Sequence, residues 1–567
     1  MKNKFIYLAV LAAGFASCEP EFENEVNANY TSGDADFSTY VAVGNSLTAG
    51  YMDGTVSRVG QTYSFPNLLA QKFALVGGGE FTQPSYADDV NNLGGLMLGG
   101  MPIEFFTGDN EFKTRLVIDA SQGRPENIVG TSTIEVSNIN EGPYNNMGVP
   151  GAKSFHLGVP NYGNIAGVAI GASNPYFVRM ASNPSATVLS DAMAKNPTFF
   201  TNWIGANDVL SYATGGGALA DDPLTPTVDE SLLPTAAADH NSTGNTNPAT
   251  YGSNDITNSG VFASVYSSII TTLTSNGAKG VVATVPSVTS IPYFTTVPYA
   301  PLTAAGLGKS LLPSGTVAEQ TTAGAAAMNQ LNAALYNNLD AVFTALGEPN
   351  RVNPLNPNAA NPLLIYDVDA ADRSAQISGA LQMQGVPAIQ ANVIGATFGK
   401  ARQTTSSDLV VLPASSVIGT VNVSASANPV LNGFGAVNTG VSYPMENKWV
   451  LTANEKAKVA SATAAYNNSI RSIAASKGLA VADMNAIMNQ LVSGLRIETG
   501  QVYTANYFSG VANEWKVLFS LDGVHPNARG YAVIANEIIK VINRHYNSNL
   551  PLHNAGSFPG INIVGSN

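Results

Sequence analysis

A single cysteine in 567 residues, Cys18, has no partner for an intramolecular disulfide, so the chain must be held together by burial rather than cross-links. Charge is scarce too: 11% of residues are Asp, Glu, Lys or Arg, and the formal net charge is −13. A partner bound through its phosphates requires basic excess, so this balance argues against nucleic acid. Histidine is rarer still, with five in the chain, His156, His240, His525, His545 and His553, which shortens the search for a general base. No zinc-ligand spacing and no phosphate-binding glycine loop stands out, so no metal and no cofactor is indicated. Asp367-x-Asp369-x-x-Asp372 lacks the glycine and terminal glutamate of an EF-hand and reads as a polar turn. There is no convincing internal repeat.

Lys2 and Lys4 precede an apolar run, Phe5 to Phe15, that ends in Ala16-Ser17-Cys18. That pattern predicts a secretory signal peptide over residues 1–17, and the run is shorter than the ~20 residues a membrane-spanning helix needs. Its removal takes two lysines, moving the charge from −13 to −13 − 2 = −15. The small residues ending in Cys18 resemble the lipobox of bacterial lipoproteins, with Phe15 where leucine is usual. The resemblance implies a lipid on Cys18, a membrane held through that anchor, and an outer-membrane or cell-surface location. Residues 18–36 open with Glu19-Pro20-Glu21-Phe22-Glu23-Asn24-Glu25 and read as an acidic solvated tether.

Beyond the tether the composition is globular, with 45% hydrophobic residues. Length alone would suggest roughly two to four domains. Apolar runs at Thr39–Val43, Thr198–Ile204, Gly280–Val285 and Leu479–Asp483 predict buried strands, each ended by glycine, proline or a polar residue. Helical spacing at Phe65–Phe73, Val261–Leu273, Asn454–Lys477 and Tyr531–Tyr546 alternates with them. Helices alternating with apolar strands predict an α/β fold with a doubly wound parallel sheet. The body spans 37–550, interrupted by insertions near 75–140, 211–256 and 295–450; the first two read as irregular and loop-like, and the last, the largest, contains a helix at Ala325–Leu346 and strands near Leu363–Tyr366 and Leu409–Leu412. Residues 551–567 form a C-terminal tail.

Ligands of such sheets bind at the carboxyl ends of the strands, so the residues just after each strand carry the function. Ser46 follows the first strand and Gly44, a placement that suits a nucleophile. Taken alone it reads more simply as a helix cap. His525 lies in Leu521-Asp522-Gly523-Val524-His525-Pro526, where an aspartate three residues upstream can reach back to the imidazole. An isolated Asp-x-x-His is more often a solvated turn. His156 lies near a second glycine-rich block and reads as a packing or surface residue rather than a substrate contact.

The combination is more specific than its parts. Gly44-Asn45-Ser46-Leu47-Thr48-Ala49-Gly50, Asn146-Met147-Gly148-Val149-Pro150-Gly151-Ala152, Gly205-Ala206-Asn207-Asp208 and Asp522-Gly523-Val524-His525-Pro526 occur in the order of the blocks of the GDSL, or SGNH, hydrolase family, which the chain resembles. Val285-Pro286 and Tyr466-Asn467-Asn468 are weaker matches. Asn45 stands where the family has aspartate, and no Gly-x-Ser-x-Gly elbow is present.

The resemblance implies the SGNH-hydrolase fold, a flavodoxin-like three-layer α/β architecture with large insertions. It implies a Ser46–His525–Asp522 triad, an oxyanion hole from Ser46, Gly151 and Asn207, and hydrolysis of carboxylic esters, of lipids or of acylated glycans, without a cofactor. A carbohydrate O-deacetylase of the same fold and a non-catalytic surface lipoprotein binding glycan or protein are the alternatives.

Overall fold

The computed structural model describes residues 29–103, 112–119, 125–221, 229–232, 234–432, 437–510, 514–561 and 563–564. Cys18, the signal segment 1–17 and most of the tether lie outside the described residues. Five strands form one all-parallel sheet: β1 (Tyr40–Gly44), β2 (Asn146–Gly148), β3 (Phe199–Trp203), β4 (Lys279–Ala283) and β5 (Ala480–Ala482). Their spatial order is 2-1-3-4-5, one of the two common orders of doubly wound sheets, in which the chain reverses its winding direction between β1 and β3. β1 and β3 are buried along their whole length, as a strand covered on both faces must be.

Because side chains alternate across a strand, the register decides which helix covers which residue. On one face Tyr40 and Phe199 meet Phe73, and Phe199 also meets Tyr546. These contacts seat the helices Phe65–Phe73 and Ala528–Tyr546, which pack on each other. On the other face, Asn202 lies against Tyr266 of the helix Ser259–Leu273, and Phe262 of that helix stacks on Tyr466 of Ala453–Ser476 at 4.1 Å between ring centres. The result is helix layers on both sides of the sheet, as the strand–helix alternation predicts.

The predicted strands and helices overlap those observed, and their ends differ mainly at caps. The last helix begins at Ala528, not Tyr531, because Asn527 Oδ1 accepts the Gly530 N–H at 2.9 Å. The helix expected from Ala325 begins at Val317, where Thr316 and Glu319 form a reciprocal capping box. The region expected to be irregular from 211 opens inside the helix Asn207–Thr214. The 295–450 region carries several helices beside short strands. Met328, Tyr336, Leu339, Phe343, Ile377 and Phe398 build a core of its own there, while Leu363, Ile365, Val410 and Met445 join the main core.

Near the C-terminus, Leu550, Ala555 and Ile561 are buried, and Ile563–Val564 pairs in parallel with Leu116–Asp119. Asp367 accepts the Asp369 N–H within its turn and pairs with Arg402, and Asp372 accepts the Ser374 N–H. Among the described residues no helix is long and apolar enough to cross a membrane.

Candidate active site

Gly44 is level with Gly148 on one side and Trp203 on the other. The loops leaving β1, β2 and β3 therefore emerge together at one sheet edge. Gly44 must lack a side chain, since a Cβ there would lie 2.2 Å from Thr48 Oγ1 and 2.7 Å from the Trp203 carbonyl. The one-turn helix α1 (Ser46–Ala49) follows at once. Its cap is Asn45, whose Oδ1 accepts the Leu47 N–H at 3.2 Å. The capping role considered for Ser46 is thus filled by its neighbour, and the asparagine that departs from the family pattern is the residue filling it.

Ser46, 7% exposed, points its Oγ at His525, 2.8 Å from Nε2. His525 Nδ1 lies 2.9 Å from Asp522 Oδ2. An ionised carboxylate only accepts, so Nδ1 carries the ring proton and Nε2 is left to accept from the serine hydroxyl. Asp522 Oδ1 accepts the N–H groups of Val524 and His525, each at 2.8 Å, which folds the Asp-x-x-His segment into a closed turn. Burial pushes the Asp522 carboxyl up, but the facing His525 and these hydrogen bonds outweigh it and hold the pKa below the ordinary aspartate range. The carboxylate that orients the imidazole therefore stays charged. The Tyr51 ring lies against the imidazole, 4.5 Å between centres.

In the loop after β2, Gly151 adopts φ +77°, a left-handed conformation that turns the chain after Pro150. Asn174 Nδ2 holds that turn by donating to the Pro150 carbonyl at 2.7 Å. Among the described residues neither the Ser46 nor the Gly151 N–H is taken by a protein acceptor. The Asn207 amide, at the start of the helix after β3, donates to the Ala152 carbonyl at 3.0 Å, which orients it and leaves its second N–H unused. The next residue, Asp208, is fully buried and accepts both the Ser154 N–H and its Oγ–H at 2.8 Å. Adjacent residues of one helix end thus clamp both ends of the Ala152–Ser154 segment.

Sequence reasoning paired Gly151 with Asn207 but did not anticipate the Asp208 clamp, nor the turn Asp53-Gly54 beside Asp522. The signal for the first was present in Gly-x-Asn-Asp; nothing in the sequence pattern marks the second. The two weaker matches also meet: Asn467 Oδ1 accepts the Val285 N–H at 2.7 Å and its Nδ2 donates to the Val285 carbonyl at 2.9 Å, fastening the end of β4. His156 packs as expected, accepting the Lys153 N–H at Nδ1 (3.1 Å) and stacking on Tyr162. Burial first, and Lys153 second, push its pKa down to about 3. Lys153, buried and donating to the Asp255 carbonyl, is pushed down to about 8, again chiefly by burial.

A hydroxyl, an imidazole and a carboxylate joined in line can move a proton off an alcohol, and N–H donors left unused after β1, after β2 and at the start of the helix after β3 can hold a developing oxyanion. Among the described residues no group of His, Cys, Asp and Glu is arranged to hold a metal ion. Comparison of the chain with family models, with curated proteins and with solved structures finds no match.

Proposed function

We propose that this chain is a serine ester hydrolase of the GDSL, or SGNH, type, working through an acyl-enzyme. The reading rests on one observation above the others, the continuous line Ser46 Oγ, His525 Nε2, His525 Nδ1, Asp522 Oδ2 with separations of 2.8 and 2.9 Å. Ser46 Oγ attacks the ester carbonyl while its proton passes to His525 Nε2, and Asp522 stabilises the imidazolium so formed. The tetrahedral oxyanion accepts from the N–H groups of Ser46 and Gly151 and from the free N–H of the Asn207 amide. His525 returns the proton to the departing alcohol, leaving Ser46 acylated. Water then attacks the acyl carbon and gives a proton to His525, which passes it to Ser46 Oγ as the carboxylic acid leaves, restoring the serine.

The second half of the proposal concerns location: a lipid on Cys18 anchors the enzyme to a membrane outside the cytoplasm. It rests on the residues around Cys18 alone. Incorporation of a labelled fatty acid that vanishes in Cys18→Ala supports it, and equal labelling of both chains overturns it.

The activity is tested with a fluorophosphonate probe, which bonds covalently to activated serines. Labelling of the folded protein that is lost in Ser46→Ala supports the hydrolase. Absence of labelling in the folded wild type supports a non-catalytic binder instead. A panel of p-nitrophenyl esters from acetate to palmitate, run beside acetylated xylan, then separates a lipase from a glycan deacetylase.

A further inference from the structure

We propose that the turn Asp53-Gly54 is a positioning element for Asp522, and that Asp53 sets both the place and the electrostatic surroundings of that carboxylate; this rests on the hydrolase reading above. The turn reaches the Asp522 loop from a segment more than 460 residues away in the chain, with separations |i−j| of 467 and 468. Gly54 N–H donates to Asp522 Oδ2 at 3.1 Å, the same oxygen that holds His525 Nδ1. Asp53 fastens the turn from both ends. Its N–H donates to Ser520 Oγ at 3.0 Å, and its Oδ1 accepts the Leu521 N–H at 3.0 Å. Its own carbonyl accepts the Leu116 N–H at 2.7 Å.

Asp53 holds φ +56°, a backbone conformation that asparagine, aspartate and glycine tolerate and other residues resist. A chain does not adopt it without return, and here it aims the Gly54 N–H at the carboxylate. The charge matters as well. Asp53 is a second, half-buried carboxyl next to Asp522; desolvation first, then the repulsion of Asp522, raise its pKa to about 6, with the Leu521 N–H and Arg115 opposing. Tyr507 and Tyr531 also face this pair and donate to the Leu521 and Tyr51 carbonyls at 2.6 Å. Above pH 6 Asp53 therefore adds negative potential beside the Asp522–His525 pair, which favours the imidazolium.

Two variants separate geometry from charge. Asp53→Gly tolerates the left-handed backbone and removes both the side-chain acceptor for the Leu521 N–H and the charge; Asp53→Asn keeps that acceptor and removes the charge alone. With the hydrolase established by Ser46 labelling, Asp53→Gly is expected to lower kcat by ~10- to 100-fold with little change in KM. Asp53→Asn is expected to hold its plateau kcat within about threefold while the acid limb of kcat moves to lower pH. The same shift is read without any substrate by NMR titration of the His525 ring, one of five histidines, which should protonate at lower pH in Asp53→Asn than in wild type. An Asp53→Gly enzyme with wild-type kcat, or an unmoved His525 titration in Asp53→Asn, overturns the proposal. Loss of Ser46 labelling in the wild type would instead overturn the hydrolase reading, and the NMR titration would still decide whether Asp53 acts on His525.

Discussion

His525 Nε2 lies 2.8 Å from Ser46 Oγ across a sequence separation of 479 residues. Neither group is unusual by itself; the distance makes one the base for the other. Residues that act as a unit fail as a unit. Ser46→Ala and His525→Ala are each expected to lower kcat by ~10⁶-fold, and the double variant by no more than either. Asp522→Asn should cost ~10⁴, because an amide in place of the carboxylate favours the wrong imidazole tautomer. Steady-state rates on the best p-nitrophenyl ester check all four; additive losses would separate Ser46 from His525.

Asn207 donates to Ala152 and keeps one N–H unused. Replacing it with alanine is expected to lower kcat by ~10²–10³, with a smaller change in KM, since an oxyanion donor acts mainly in the transition state. A kcat unaltered by Asn207→Ala would remove the residue from the mechanism.

Asp208 is buried and satisfies two donors of Ser154. Asp208→Ala leaves both unpaired in the interior and is expected to destabilise the protein by about 1–3 kcal/mol, read by denaturant unfolding. Burial raises the Asp208 pKa despite those bonds, so Asp208→Asn, which keeps one acceptor, should lose less.

His156 and His553 are held neutral: burial leads in both, with Lys153 and Lys72 adding to it, and their pKa values fall to about 3 and about 4 from 6.5. The folded chain then binds fewer protons than the unfolded one as pH falls below 6.5. The sign follows: stability present above pH 6.5 is lost on the way down toward pH 4. His156→Asn can still accept the Lys153 N–H, and His553→Gln can still donate to the Leu68 carbonyl, which His553 Nε2 reaches at 3.0 Å. Thermal unfolding of that double variant between pH 6.5 and 4.5 should show a shallower slope than the wild type; parallel slopes would refute the assignment.

Much of the sheet was legible because buried strands announce themselves. β1, β3, β4 and β5 are short apolar runs closed by turn residues, and the helices Ser259–Leu273, Ala453–Ser476 and Ala528–Tyr546 carry their periodicity openly. β2 has no such run. Asn146-Met147-Gly148 is fully buried at the sheet edge, and it is a strand because Asn146 Nδ2 finds the Thr48 carbonyl and Gln83. Buried amides are stable only where partners wait, and the partners come from elsewhere in the fold. Helices of the 295–450 region such as Ser374–Met383 and Ala388–Phe398 were missed for a different reason: their buried faces pack together with Leu339 and Phe343, but apolar residues such as Met383 and Ile389 also stand on their exposed sides, so the sequence shows no clean apolar stripe.

The local chemistry was written in the chain: a serine after a strand and a glycine, an aspartate three residues before a histidine, an asparagine after Gly205-Ala206. These are short-range patterns, set by turn geometry and by what each side chain can donate or accept. Which of five histidines faces the serine, whether the cap is Asn45 or Ser46, and that Asp53 stands behind Asp522 were decided by the sheet. Hydrogen bonds act over about 3 Å, and only packing the strands in the order 2-1-3-4-5 brings those distant segments within that reach.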